Sequence, residues 1–337
     1  MKVSIYILIL VVLAGCSKKL PTPASNEILI ISSYQDSLSS SPIIYKFLKE
    51  KNRKLPIEED YYSVKWIRPK EFKKYENYPA VVILKLDDPQ DETGDRFYNN
   101  LFQNKEGSSN VSFVRSLYSE NQTIIGLESR NNIELKQTLE DYALTIFDEF
   151  DNRINQLIIE KYYKKPKNES IIAKIKQKYG VSIFIDHEYE KIKNQDDILW
   201  IGRGFPNWGD PYRWIIIREI EPCEYNECAK YIQDTFNKVL DDSYIFISNL
   251  ESDPSLEESS YDYMYNENRI IGGTYRHYKI IDKNGLKDTI PNAGGPYISY
   301  IYNKGNSSTL LIGLVNNPGK DKMIYLKQFE SIFRDIK

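Results

Sequence analysis

Two stretches of this 337-residue chain carry side chains whose types and spacing suit chemistry. The first is Leu13-Ala14-Gly15-Cys16, where a thiol follows two small residues at the end of an apolar run. Small side chains let a processing peptidase close on the backbone, and the thiol can carry a diacylglyceryl thioether. The preceding residues follow a leader plan: Lys2 supplies positive charge, and residues 3–13 supply an apolar run. That run is too short to cross roughly 30 Å of hydrocarbon as a helix. The expectation is removal of residues 1–15 as a lipoprotein signal peptide, then acylation of Cys16 by palmitate-like chains, several of which hold where one is marginal. An ordinary secretory leader that happens to contain a cysteine is the alternative. Residues 16–26 hold Pro21, Pro23 and small polar residues and read as the lipid anchor and tether. Their Lys18 and Lys19 can touch anionic headgroups, at about 1 kcal/mol each.

The second stretch is residues 200–214, which gather Trp200, Arg203, Phe205, Trp208, Tyr212, Arg213 and Trp214. Aromatic rings beside guanidinium groups suit stacking on sugar rings or holding an anion. A hairpin whose tryptophans cap the core is the competing reading. Nearby, Cys223 and Cys228 are spaced C-x4-C. An exported compartment permits a disulfide between them, and two free thiols is the other reading. With only His187 and His277 available, zinc is not supported. Asp87, Asp88, Asp91, Glu92 and Asp95 crowd one loop but lack the calcium-loop order. Gly294-Gly295-Pro296-Tyr297 reads as a turn into a strand and has no phosphate-cradling spacing. Neither histidine has a G-x-S-x-G partner, and nothing singles out a glycosidase pair among the many carboxylates. No catalytic residue, metal or cofactor is assigned.

These side chains must be held by elements. Charges of 45 basic against 48 acidic residues give no footprint for nucleic acid. At 41% hydrophobic residues the chain can bury a core, and its length suggests two domains. Pro166 near residues 163–168 divides an N-terminal α/β half, 27–165, from a C-terminal α+β half, 166–337. In the first, strands are expected at 27–33, 62–67 and 80–86, a helix from Ser41-Pro42 to 52, and a hairpin of 111–118 and 122–128. A single long helix is expected over about 132–163, where Leu135, Leu139, Ile146, Phe150, Ile154 and Ile158 recur at threes and fours. In the second half, helices are expected at 169–179, 227–240 and 318–336. Strands are expected at 181–185, 198–202, 213–220, 244–248, 269–281, 297–303 and 309–315. The fold class is α+β: two halves, each a mainly antiparallel sheet covered by helices, the second on one face.

The leader, Ile198-Leu-Trp-Ile-Gly-Arg203, Gly294-Gly-Pro-Tyr297 and Asn317-Pro-Gly-Lys-Asp-Lys322 before the last helix together resemble an uncharacterised lipoprotein family of Bacteroidetes, domain of unknown function 4837 (DUF4837). The chain departs from that pattern in its insertion at 204–210 and in the Cys223/Cys228 pair. The resemblance implies an exported lipoprotein and no particular reaction. Because Ser17-Lys18-Lys19 is basic rather than acidic, it also implies an outer-membrane lipoprotein facing the periplasm. The resulting expectation is a lipid-anchored cell-envelope protein, a non-enzymatic binding or assembly protein with a glycan or envelope-protein partner. An envelope hydrolase acting on glycan or peptidoglycan is the alternative.

Overall fold

Continuous apolar runs mark strands covered on both sides, and the first sheet is built on two of them. The computed structural model describes residues 26–51, 59–87, 92–102, 110–194, 197–205, 209–239, 243–247, 260–283 and 286–337. Cys16, the tether as far as residue 25, Asp88, Asp91 and Trp208 therefore lie outside the described residues. The chain divides into two units, one of Met1–Ile43 with Val64–Phe150, the other of Ile44–Ser63 with Asp151–Lys337.

The first unit holds β1 (Glu27–Ile31), β2 (Ser63–Ile67), β3 (Ala80–Leu86), β4 (Val111–Arg115) and β5 (Thr123–Ser129), in the order β2-β1-β3-β5-β4. Its sheet is mixed: β1 and β5 both run parallel to β3, and β4 closes antiparallel on β5. Parallel neighbours need crossovers, and α1 (Tyr34–Lys49), a 3-10 helix (Pro69–Lys74) and α2 (Glu92–Phe102) lie in them. The helix expected from Ser41-Pro42 begins seven residues earlier. Ser33 Oγ accepts the Asp36 N–H at 3.0 Å, and the Ser37, Ser39 and Ser40 hydroxyls donate to carbonyls of the preceding turn. That satisfies the turn ahead of Pro42, which sits inside the helix. Helix α2 was not expected at all, because its start falls in the acidic run.

The expected 132–163 helix is two, α3 (Asn132–Asp141) and α4 (Ala143–Tyr163), interrupted at Tyr142 with φ −106° and ψ 11°. Asn131 Oδ1 caps α3 through the Ile133 and Glu134 N–H groups. Glu134 reaches back to the Arg130 N–H.

The second unit carries an eight-stranded sheet among the described residues. It contains β6 (Glu190–Asn194), β7 (Ile198–Phe205), β8 (Asp210–Ile220), β9 (Ser243–Ile247), β10 (Tyr261–Tyr265), β11 (Asn268–Lys283), β12 (Leu286–Asn303) and β13 (Ser308–Asn316). The order is β10-β11-β12-β13-β8-β7-β6, with β9 also paired to β11, and every pairing is antiparallel. Helix α5 (Glu169–Tyr179) starts on the Asn168 cap and stops at Gly180, whose φ of 69° suits a residue without Cβ. Helices α6 (Tyr225–Val239) and α7 (Met323–Arg334) follow.

The sheet is covered on both faces, not one. Ile198, Ile216, Leu310, Ile312, Leu314 and Tyr297 share a core with Cys228, Ile232 and Phe236 of α6. Gly313, which points the other way, faces α7: a Cβ there would lie 2.6 Å from the Phe329 ring. All nine positions of β13 are accordingly buried.

Other expectations are corrected. Residues 181–185 form no strand. All but Ser182 are buried, and Ser182 exchanges backbone bonds with Lys337 at 2.7 and 3.0 Å. Gly294-Gly295-Pro296 lies inside β12 opposite Arg276, Tyr275 and Thr274. A Cβ on Gly295 would stand 2.1 Å from the Val315 carbonyl oxygen, so this glycine serves close backbone approach. Helix α7 starts at Met323, five residues after Pro318.

Candidate functional site

The residues singled out by composition lie on the β7–β8 hairpin. Ile198 pairs with Arg218, Trp200 with Ile216, Gly202 with Trp214 and Arg203 with Arg213. Strand side chains alternate between faces, and that alternation divides the group. Trp200, Tyr212 and Trp214 stand on the α6 face. Arg203 and Arg213 stand on the α7 face.

On the α6 face Tyr212 stacks on Trp214 with ring centroids 5.5 Å apart, and Trp214 meets Trp200 edge-on at 5.7 Å. Both tryptophans are half-buried and pack against the α6 core, while Tyr212 is 39% exposed. Gly202 leaves room between them and the exposed Ile192 of β6. A Cβ there would lie 2.5 Å from both Ile192 Cδ1 and Trp214 Cδ1. The result is a stepped aromatic ledge, half-buried at Trp200 and Trp214 and open at Tyr212. Phe205, after a register shift, is 62% exposed. That shift needs Gly204, whose φ is 107° and whose Cβ would clash with the Pro211 carbonyl.

On the α7 face the two arginines are inside and neutralised. The Arg203 guanidinium pairs with Asp186 and Glu188, and lies 3.6 Å from Asp210. Asp186 has no exposed surface, accepts the Glu188 N–H at 3.0 Å and has Lys165 Nζ at 3.6 Å. Arg213 pairs with Asp210 at 2.5 Å and lies over the Tyr325 ring of α7 at 5.1 Å. Burial pulls the Arg203 pKa down, but Asp186, Glu188, Tyr189 and Asp210 outweigh it and hold it above the ordinary value. Burial pushes the Tyr162 and Tyr189 phenols up. Three carboxylates thus match Arg203, Arg213 and Lys165. The anion-holding role weighed for these arginines meets carboxylates already in place.

Cys223 and Cys228 are joined in a disulfide with their Cα atoms 5.3 Å apart, closing the turn into α6. Beside it is a cleft of about 310 Å³ bordered by Pro222, Cys223, Glu224, Met264 and Arg269. Arg269 is bound there to Glu224 and Asp262 at 3.1 and 3.2 Å. No cluster of His, Cys, Asp or Glu able to hold a metal occurs among the described residues.

Sequence reasoning missed a charged centre in the same unit. Lys327 is 1% exposed, with Nζ 3.5 Å from the Tyr61 ring centroid and 4.3 Å from that of Tyr62. Glu330, also buried, pairs with Arg334 at 2.6 Å and accepts the Tyr263 hydroxyl. Glu59 caps α7 by accepting the Lys322 and Met323 N–H groups. The sequence carries no signal for it: Lys327, Glu330, Ser331 and Arg334 recur at three- and four-residue spacing, which reads as a polar stripe facing solvent.

Residues 168–335 match the family model described as domain of unknown function DUF4837. The C-terminal half of the chain belongs to the DUF4837 family. No curated protein matches the chain. Among solved structures, human STARD10 is 9% identical, covering 50% of this chain and 75% of that one, with a TM-score of 0.22. The lipid transfer and protein localization domain of human StarD13 is 10% identical, covering 43% and 88%, with a TM-score of 0.19. The DUF4837 segment contains both the aromatic ledge and the buried arginines.

Proposed function

We propose that this protein is a lipid-anchored component of a bacterial cell envelope, facing the periplasm, and that it works by binding rather than by turnover. In this reading Cys16 carries the acyl chains and the DUF4837 half carries the binding surface. The observation that supports it is the Tyr212–Trp214–Trp200 ledge, an uncharged series of rings open at one end of strands β7 and β8. Such rings stack on the apolar faces of sugars, at low entropic loss because their neighbours already fix them. A glycan strand of the cell wall is the ligand class this favours.

The test uses the chain from Ser17 onward and purified peptidoglycan glycan fragments. Saturable binding, weakened about tenfold or more by Tyr212→Ala with the fold unchanged, supports the reading. Release of shortened fragments would replace it with the hydrolase alternative. No binding, together with a stable protein partner recovered from solubilised envelope, would make it an assembly protein.

A further inference from the structure

The tether joins the folded body at β1, and what surrounds that point is distinctive. Because β1, β3 and β5 are parallel, their starts lie at one end of the first unit's sheet, together with the β4–β5 turn. Thr123 N–H donates to the Pro79 carbonyl at 2.8 Å, and the Tyr78 hydroxyl donates to Glu27 at 2.8 Å. At this end Leu117 and Tyr118 stand side by side, 46% and 40% exposed. Lys73 and Lys74 are exposed just beyond Phe72, whose ring meets Tyr118 at 5.2 Å. Lys65 lies over the neighbouring Tyr75 ring at 4.8 Å. The acids of the same end are Glu27, bound by Tyr78, Glu149, paired with Arg115, Glu76, half-buried, and Glu120, exposed in the turn.

The turn is built to hold its two apolar residues outward. Gln122 is 1% exposed, donates to the Glu76 and Tyr78 carbonyls at 2.6 Å each and accepts the Tyr118 N–H at 3.1 Å. Ser116 and Asn121 take φ values of 54° and 59°, a region that non-glycine residues enter at a cost. The turn is pinned from inside by Gln122, with Leu117 and Tyr118 left partly exposed.

We infer that Leu117 and Tyr118, flanked by Lys73 and Lys74, are the face this unit lays on the headgroup region of the bilayer. The inference rests on the anchoring of Cys16 proposed above. Ten residue steps lead from Cys16 to Asn26, so the tether reaches at most about 35 Å. The end of the sheet where it arrives is therefore the end held closest to lipid. An aromatic and an aliphatic side chain beside exposed lysines match the interface, where rings sit at headgroup depth and ammonium groups reach phosphate. The other end of the same strands supplies the contrast. There Ile133 is 83% exposed, about 20 Å away along β3 and β5.

The test uses the full acylated protein in vesicles of phosphatidylethanolamine and phosphatidylglycerol, after an intact-mass measurement of its amino terminus. A photo-crosslinking phenylalanine analogue is placed at Tyr118 in one sample and at Ile133 in another. Lipid adducts at least tenfold more abundant at 118 are expected, with the excess reduced severalfold by Leu117→Ser combined with Lys73→Glu and Lys74→Glu. Acyl mass present with equal adduct yields at 118 and 133 overturns this inference alone. A terminus without acyl mass overturns the anchor reading and this inference with it.

Discussion

The two faces of the β7–β8 hairpin began as one candidate. Trp200, Arg203, Tyr212, Arg213 and Trp214 are neighbours in the chain, and by type they suggest a single anion- or sugar-binding group. The fold sends the rings to the α6 face and the guanidinium groups to the α7 face. There Asp186, Glu188 and Asp210 neutralise the arginines. One face is a charge-balanced interior and the other a graded ledge ending in solvent. Residues close in sequence on a strand share a site only when their separation is even.

If the α7 face is interior architecture, breaking it should be costly. Arg203→Met leaves Asp186, with no exposed surface, without its guanidinium partner. Removing one member of a buried pair costs about 3–5 kcal/mol, read as a fall in the urea midpoint of the chain from Ser17 onward. A change below about 1 kcal/mol would mean that the pair is solvated and the arginines free to bind. The next effect belongs to the α6 side. Removing the Cys223–Cys228 bridge with Cys223→Ser and Cys228→Ser releases a short loop. It should lower stability by about 2 kcal/mol on loop-entropy grounds, measured by the same titration against the oxidised parent.

How much of this was legible follows the same division between local pattern and tertiary choice. Residues 80–86 read as a strand because Ala-Val-Val-Ile-Leu is apolar on both faces, and Ala80–Leu86 is the strand observed. The amphipathic run 169–179 and the glycine after it mark α5 in the sequence, while its Asn168 cap shows only in the structure. Strand β6, Glu-Lys-Ile-Lys-Asn, went unseen, since an edge strand facing solvent needs no apolar period. The sequence pattern starts helix α1 late because serines compete for backbone bonds in isolation. Here Ser33, Ser37, Ser39 and Ser40 turn that tendency to the helix's use. The aromatics and arginines were found by type, but their separation needed the register of β7 on β8, with its shift between Arg203 and Phe205. Lys327 and Glu330 stayed hidden because a charged residue in a helix reads as solvent-facing until both sides of that helix are covered.

The ledge itself is sharpened by smaller changes. Gly202→Ala inserts a methyl group 2.5 Å from Ile192 Cδ1 and Trp214 Cδ1. It should cost about 1 kcal/mol in the urea midpoint, at the low end for overpacking because Ile192 lies at the exposed edge. Glycan binding should fall with it, since the ring of Trp214 must move. Tyr212→Ala should leave the midpoint within about 0.5 kcal/mol while weakening binding about tenfold. Equal losses in both measurements would make Tyr212 part of the core and dissolve the contrast between the faces.

The smallest effect is a pH dependence on the sheet that both faces share. His277 lies in β11 beside a register shift, half-buried, and burial lowers its pKa below the ordinary 6.5. The folded state therefore holds this proton less tightly than the unfolded chain. The stability linked to His277 is fully present above pH 6.5 and is lost as pH falls through the lower folded value. Asp197 and Glu219 also have lowered pKa values, but both start from the carboxylate range and act at more acid pH. Asp262, raised by burial, contributes the opposite sign, gaining stability as pH falls. Comparing urea midpoints at pH 7.5 and 5.5 in the parent and in His277→Gln separates these terms. The variant retains the Asp262 contribution and loses the imidazole one, so its midpoint should fall less between the two pH values than the parent's. Equal falls would mean that the imidazole is as well solvated in β11 as in the unfolded chain.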